Sequence, residues 1–170
     1  VEFVEAGGVL ARFEGLLEEK FDATLLISPF DAGAVAKGFS RLAGGVDVMG
    51  TYQGVVAATR RDWAAENEGS LKAFIAAWLR ALDWLFDPAN RDAAIAILRE
   101  NLPNMSAELA EASYGILLHP TDGFYREGAI NRPGIESVLE LRRAYGAPGA
   151  DLGTIDDHVD ERYWSEVRNG

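Results

Sequence analysis

Phe21-Asp22-Ala23-Thr24-Leu25-Leu26-Ile27-Ser28-Pro29-Phe30-Asp31 is the stretch on which the fold class turns. Ala23 to Ile27 is an apolar run of strand length, unbroken by charge, the pattern of a strand covered on both faces in a parallel sheet. Ser28 to Asp31 ends that strand and opens a helix over Asp31 to Lys37, with Ser28 or Asp31 as its cap and Gly38 as its stop. In open parallel sheets ligands sit outside the carboxyl ends of the strands, so Ser28, Pro29, Phe30 and Asp31 are candidate ligand-binding residues. The same four residues also fit an ordinary cap and turn.

Upstream, Val1-Glu2-Phe3-Val4-Glu5 alternates apolar and charged residues, the period-two mark of a half-buried strand, and Gly7-Gly8 breaks it. Val9 to Lys20 follows, with Val9, Leu10, Phe13, Leu16 and Leu17 on one helical face and Arg12, Glu14, Glu18, Glu19 and Lys20 elsewhere. Strand, helix and strand in that order predict a small parallel α/β unit over residues 1–50. Downstream, Gly44, Gly45, Gly50 and Gly54 punctuate residues 41–54 and lead into a strand over Thr51 to Ala58. A glycine-flanked strand at a change of texture predicts a crossover between lobes. It makes Tyr52 and Gln53 further candidate ligand contacts, by phenol stacking and amide hydrogen bonding. A plain strand or hinge role for both stays open.

After Arg60-Arg61 the period changes to that of helices. Ser70 caps a helix in which Leu71, Phe74, Ile75, Trp78, Leu79, Leu82, Leu85 and Phe86 share one stripe, so Phe74, Trp78, Leu82 and Leu85 are expected in the core. Asp87-Pro88 restarts the chain with a cap and a first-turn proline, giving a helix through Ala93, Ala94, Ile95, Ile97 and Leu98 that ends within Asn101 to Asn104. Ser106 opens another through Leu109, Tyr114, Ile116 and Leu117. A polar loop from His119 to Asn131 leads to a helix over Pro133 to Tyr145. Beyond Ala147-Pro148-Gly149 an acidic stretch gives way to a terminal helix with Val159, Tyr163 and Trp164. Residues 60–170 are therefore expected to be mainly helical.

The chain has 170 residues, no cysteine, 16 basic and 27 acidic residues and a net charge of −11. Clustered Lys and Arg are what a phosphate backbone requires, so nucleic acid is excluded as an expected partner. Residues 1–50, 51–150 and 151–170 carry −4, −3 and −4, which makes the last twenty residues the most acidic. No apolar run reaches the roughly 20 residues of a membrane helix. Val1 to Glu5 has neither an initiating Met nor a signal-peptide pattern, and the chain reads as beginning in mid-fold.

The order of these elements resembles a known family: the substrate-binding proteins of bacterial ABC importers in the nitrate, sulfonate, taurine and thiamine-precursor group. The residues that carry the resemblance are Leu16-Leu17, Phe21-Asp22-Ala23, Ser28-Pro29-Phe30 and Lys37-Gly38, then Ser70 to Phe86, Asp87-Pro88, Arg91 to Leu98 and Val159-Asp160-Glu161-Arg162-Tyr163. The family commonly has Gly where this chain has Phe21. The resemblance implies an α/β chain forming part of a type II periplasmic binding fold, and specifically its C-terminal half. It assigns residues 1–50 to part of the second lobe, 51–59 to a crossover strand and hinge, and 60–170 to a helical portion returning to the first lobe.

What the resemblance implies functionally is a solute-binding component of a bacterial ABC importer, located in the periplasm or anchored outside the membrane. It would trap a small anionic or heteroaromatic solute by hinge closure of two lobes and dock on the ABC permease. Its expected partners are that solute, the permease, and the missing N-terminal half or a second copy of the chain. No cofactor, metal or catalytic residue is expected. Two alternatives stand beside it: an enzyme of pyrimidine-precursor synthesis on the same fold, for which only His119 and His158 offer histidine chemistry, and a sensory or interaction module. His158 lies among Asp156, Asp157, Asp160 and Glu161, a pattern that fits a solvated acidic loop better than a ligand set. Asn104-Met105-Ser106 is a glycosylation sequon that a capping Ser106 also explains.

Overall fold

The helices form where apolar side chains recur three and four residues apart, and several of their N-termini are set by a side chain that satisfies a free backbone amide. In the computed structural model, which describes residues 1–102, 105–121, 123–146 and 148–170, the elements are α1 (Val9–Leu17), α2 (Phe30–Ala36), α3 (Gly45–Met49), α4 (Arg61–Glu66), α5 (Glu68–Leu85), α6 (Arg91–Asn101), α7 (Ala107–Leu117), α8 (Arg132–Leu141), α9 (Ile155–His158) and α10 (Arg162–Asn169). A 3₁₀ turn at Pro88–Asn90 precedes α6, and a π-helical turn at Arg142–Gly146 extends α8. No helix among the described residues is long and apolar enough to cross a membrane. Asn104 of the sequon, Pro103, Asp122 of the polar loop and Ala147 lie outside the described residues.

The caps follow the chemistry of the short polar side chains. Ser106 accepts a hydrogen bond from Leu109 N at 3.2 Å, Asp87 from Ala89 N at 2.9 Å and Asn131 from Gly134 N at 3.0 Å. Gly38, at φ +94°, lets the chain turn out of α2 while its amide and that of Phe39 bond back to Val35 and Ala34.

The chain divides into two compact units, Val1–Leu42 with Asp87–Phe124, and Ala43–Phe86 with Tyr125–Gly170, and it passes from one to the other three times. In the first, α6 packs on α7, and α2 rests on both α1 and α7. Its core is Ile95, Met105 and the fully buried Ala110, flanked by Leu98, Leu109 and Tyr114. The Phe13 and Phe30 rings pack 5.4 Å apart, and Gly33 admits the Phe13 ring beside α2. Gly15 does the same for Phe21, whose ring lies where a Cβ would sit. In the second unit α10 runs along α5, tied by Lys72 to Glu166 at 2.5 Å. Trp164 Nε1 donates to the Glu127 carbonyl at 2.9 Å, and Leu82, Ala64, Leu139 and Ile155 are buried. Gly128, at φ +61°, lies against Leu79, Leu82 and Trp78.

The expected fold class is corrected. The chain is 58% helical, and among the described residues there is no strand and hence no parallel sheet. Val1–Glu5, Ala23–Ile27 and residues 52–60 have no regular structure, and Val1, Phe3, Val4, Leu25, Ile27, Val55 and Val56 are exposed. Alternation and apolar runs specify which way side chains point, but a strand also needs a neighbour to take its backbone hydrogen bonds. No such neighbour stands beside these segments among the described residues. The α/β unit and the type II sheet are therefore not formed.

Two smaller corrections concern α5. Ser70 does not cap it, because the helix begins at Glu68 directly after α4. Leu82 is 2% exposed and Leu85 half-buried, but Phe74 is 56% and Trp78 43% exposed. The buried stripe is narrower than the apolar one.

Candidate functional site

Four of the six candidate ligand contacts lie in the first unit and two in the second. Ser28 to Phe30 form the turn into α2. The Ser28–Pro29 peptide is cis, Ser28 Oγ donates to Asp31 Oδ1 at 3.0 Å, and the Phe30 and Asp31 amides bond to the Ile27 carbonyl at 2.9 and 3.4 Å. Pro29, and neither Ser28 nor Asp31, occupies the cap position, so the serine–aspartate pair closes the turn instead of capping the helix. All four residues are half-buried, and the Phe30 ring is spent on Phe13.

Tyr52 is exposed, whereas Gln53 is fastened through its backbone amide and both side-chain polar atoms. Its backbone amide donates to Gly134 O at 3.3 Å, its Nε2 to Val55 O at 2.9 Å, and its Oε1 accepts from Asn131 N at 3.0 Å. Asn131 in turn donates from Nδ2 to the Tyr125 hydroxyl at 2.6 Å. Gln53, Asn131, Gly134 and Tyr125 thus form one polar junction where the extended segment meets the head of α8.

The strongest electrostatic feature is one that sequence reasoning did not assemble. Arg132 bonds Glu161 at 3.0 Å and also Asp156, while Arg61 Nη2 donates to the Asp157 carbonyl at 2.6 Å. Asp160 receives Arg162 Nε and Nη2 at 2.9 and 2.8 Å, which hold its carboxyl down to about 2, chiefly through those hydrogen bonds and against the opposing effect of burial. Asp157 is lowered as well, first by the Thr154 amide it accepts from. The signal available in the sequence was the Arg60-Arg61 pair facing an acidic run some 95 residues later, a separation no periodicity reveals. His158 Nε2 lies 2.7 Å from the Leu152 carbonyl, so the histidine fastens its own loop.

No protein-family model, no curated protein and no solved structure matches this chain.

Chemically, the arrangement in the second unit is a set of compensated charges: each of Arg61, Arg132 and Arg162 already faces a carboxylate or carbonyl. Thr59, Arg60, Asp62, Trp63 and Glu66 line a shallow open depression in which Arg60 is paired with Asp62. The first unit differs in one respect. Arg12 Nε, on α1, is buried and meets no hydrogen-bond acceptor among the described residues. Its sequence neighbour Phe13 is the residue packed on Phe30. Among the described residues no three acidic or histidine side chains are grouped as metal ligands would be.

Proposed function

We propose that the chain is a solute-binding component of a bacterial ABC importer of the nitrate, sulfonate, taurine and thiamine-precursor type, working outside the cytoplasm with a membrane permease as its partner. The observation that carries this reading is the order of motifs along the sequence, from Leu16-Leu17 and Phe21-Asp22-Ala23 through Asp87-Pro88 to Val159-Asp160. The sheet on which such proteins build their cleft is absent from the described residues, so the reading rests on that order and on the chemistry of individual side chains. Of these, Arg12 is the most distinctive: its Nε is buried and meets no acceptor among the described residues, and a buried donor of that kind calls for an acceptor. The exposed Tyr52 phenol offers a face for a heteroaromatic ring. The reading involves no catalytic step.

Calorimetric titration of the chain with nitrate, taurine, methanesulfonate and a thiamine-pyrimidine precursor tests it. The expected result is saturable binding of one of these, weakened about tenfold or more in Arg12→Gln if the ligand is anionic. Absence of binding across the whole set refutes the reading.

A further inference from the structure

Residues 151–170 are fastened to the rest of their unit by charge. Arg61 Nη2 donates to the Asp156 and Asp157 carbonyls at 3.3 and 2.6 Å, and its Nη1 lies 4.0 Å from Asp160. Arg132 holds Asp156 and Glu161, Lys72 holds Glu166 at 2.5 Å, and Arg143 donates to the Gly153 carbonyl at 2.5 Å. From the segment itself Arg168 reaches Glu127 at 2.7 Å. The segment carries −4, from six carboxylates and two arginines, and Arg61, Lys72, Arg132 and Arg143 bring four positive charges to meet it. Among the described residues only the Trp164 indole makes a neutral polar tie, no backbone hydrogen bond joins the segment to another, and Ile155 is its one buried residue.

Such a fastening is weak and reversible. An exposed ion pair holds little, because water competes for both partners, and salt weakens it further. α9 has four residues and α10 eight, short of the roughly 12–15 that an isolated helix needs in water, so both last only while docked. Gly149, at φ +80° and with nothing within 4 Å of where a Cβ would sit, gives the segment a free pivot at its near end. The remainder of the chain carries −7, the total of −11 less the segment's −4, and repels the segment at long range. At about 0.1 M salt that repulsion is already screened beyond about 10 Å, so what added salt removes is the attraction at contact.

We propose that residues 151–170 are a strap over α5 that opens as ionic strength rises and closes as it falls. Opening swings α9 and α10 off together, undoes both helices and bares the face of α5 along which α10 runs. It also uncovers the half-buried Tyr163, Trp164 and Val167 of the strap itself. The opening needs no solute.

Hydrogen exchange followed by mass spectrometry on the whole chain, in about 0.1 M and about 1 M sodium chloride, tests it. Amides of residues 155–169 should exchange about tenfold or more faster in the higher salt, while those of α6 and α7 keep their rates. Arg132→Gln removes the ties to Asp156 and Glu161, and Lys72→Gln the tie to Glu166. Each variant should exchange faster than wild type in 155–169 already at the lower salt, and respond less to the higher. Exchange in 155–169 that salt leaves unchanged or slows, that rises only together with α6 and α7, or that both variants leave as in wild type overturns the proposal.

Discussion

The Gln53 side chain accepts a hydrogen bond from the Asn131 backbone amide at 3.0 Å, joining positions 78 residues apart. With the Gln53 amide on Gly134 O and Nε2 on Val55 O, this is the fastening of the extended 52–60 segment to the head of α8. Gln53→Leu is expected to cost about 1–2 kcal/mol, since the Asn131 amide loses its acceptor. The expected signature is faster hydrogen exchange at the Asn131 amide, and unchanged exchange there contradicts the assignment.

Gly134 occupies the other side of that junction. A Cβ at this position would come within 2.8 Å of the Gln53 nitrogen and 3.1 Å of the Tyr52 carbonyl carbon, backbone atoms with little freedom to move. Gly134→Ala should destabilise by about 1–3 kcal/mol. Gly115, in α7, meets nothing within 4 Å, so Gly115→Ala should stabilise by up to about 1 kcal/mol through helix propensity. Denaturant melts of the two variants should move in opposite directions.

Leu82 is the most deeply buried large side chain of α5, while Phe74 on the same apolar stripe is more than half exposed. Leu82→Ala should cost about 2–5 kcal/mol. Phe74→Ala should cost under about 1 kcal/mol. Equal losses would show that the stripe is buried as one face after all.

Asp160 links stability to acid. Its folded value, about 2, lies below its ordinary 3.8 because Arg162 hydrogen-bonds the ionised form. A depressed carboxyl contributes stability above its unfolded value and loses it as pH falls through the folded one, so the contribution is complete above about pH 4 and fades toward pH 2. Asp160→Asn should flatten the urea midpoint against pH across that interval. The difference should shrink with salt, because Arg162 is largely exposed. Identical slopes for variant and wild type would exclude the pair as the cause.

The longer helices of residues 60–170 were legible because their signals are local. Ser106, Asp87 and the stripe from Leu71 to Phe86 act within a turn or two of themselves. The strands were misread because Ala23–Ile27 and Thr51–Ala58 carry the side-chain pattern of strands, and nothing within those residues tells whether a partner stands beside them. α3, α4 and α9 were missed: the first hides among glycines, the second precedes a serine that looked like a helix start, and the third lies in a stretch whose acidic residues read as a loop. Of the candidate site, the Ser28–Asp31 turn was placed by its residue types, whereas the Gln53–Asn131 junction and the Arg61–Arg132 charge cluster depend on separations no local rule reaches. Arg12 was assigned to the polar face of α1, since desolvation of one guanidinium nitrogen leaves no trace in the spacing.

The three passages of the chain between its units govern how it comes off the ribosome. Residues 1–42 await 87–124 before the α6–α7 core exists, and residues 43–86 await 125–170 before α10 can cover α5. Neither unit can fold from one continuous stretch: the first is complete only once residue 124 has been made, and the second only once residue 170 has. Through most of its synthesis this chain is a nascent polypeptide with its apolar residues uncovered, the form that chaperones bind.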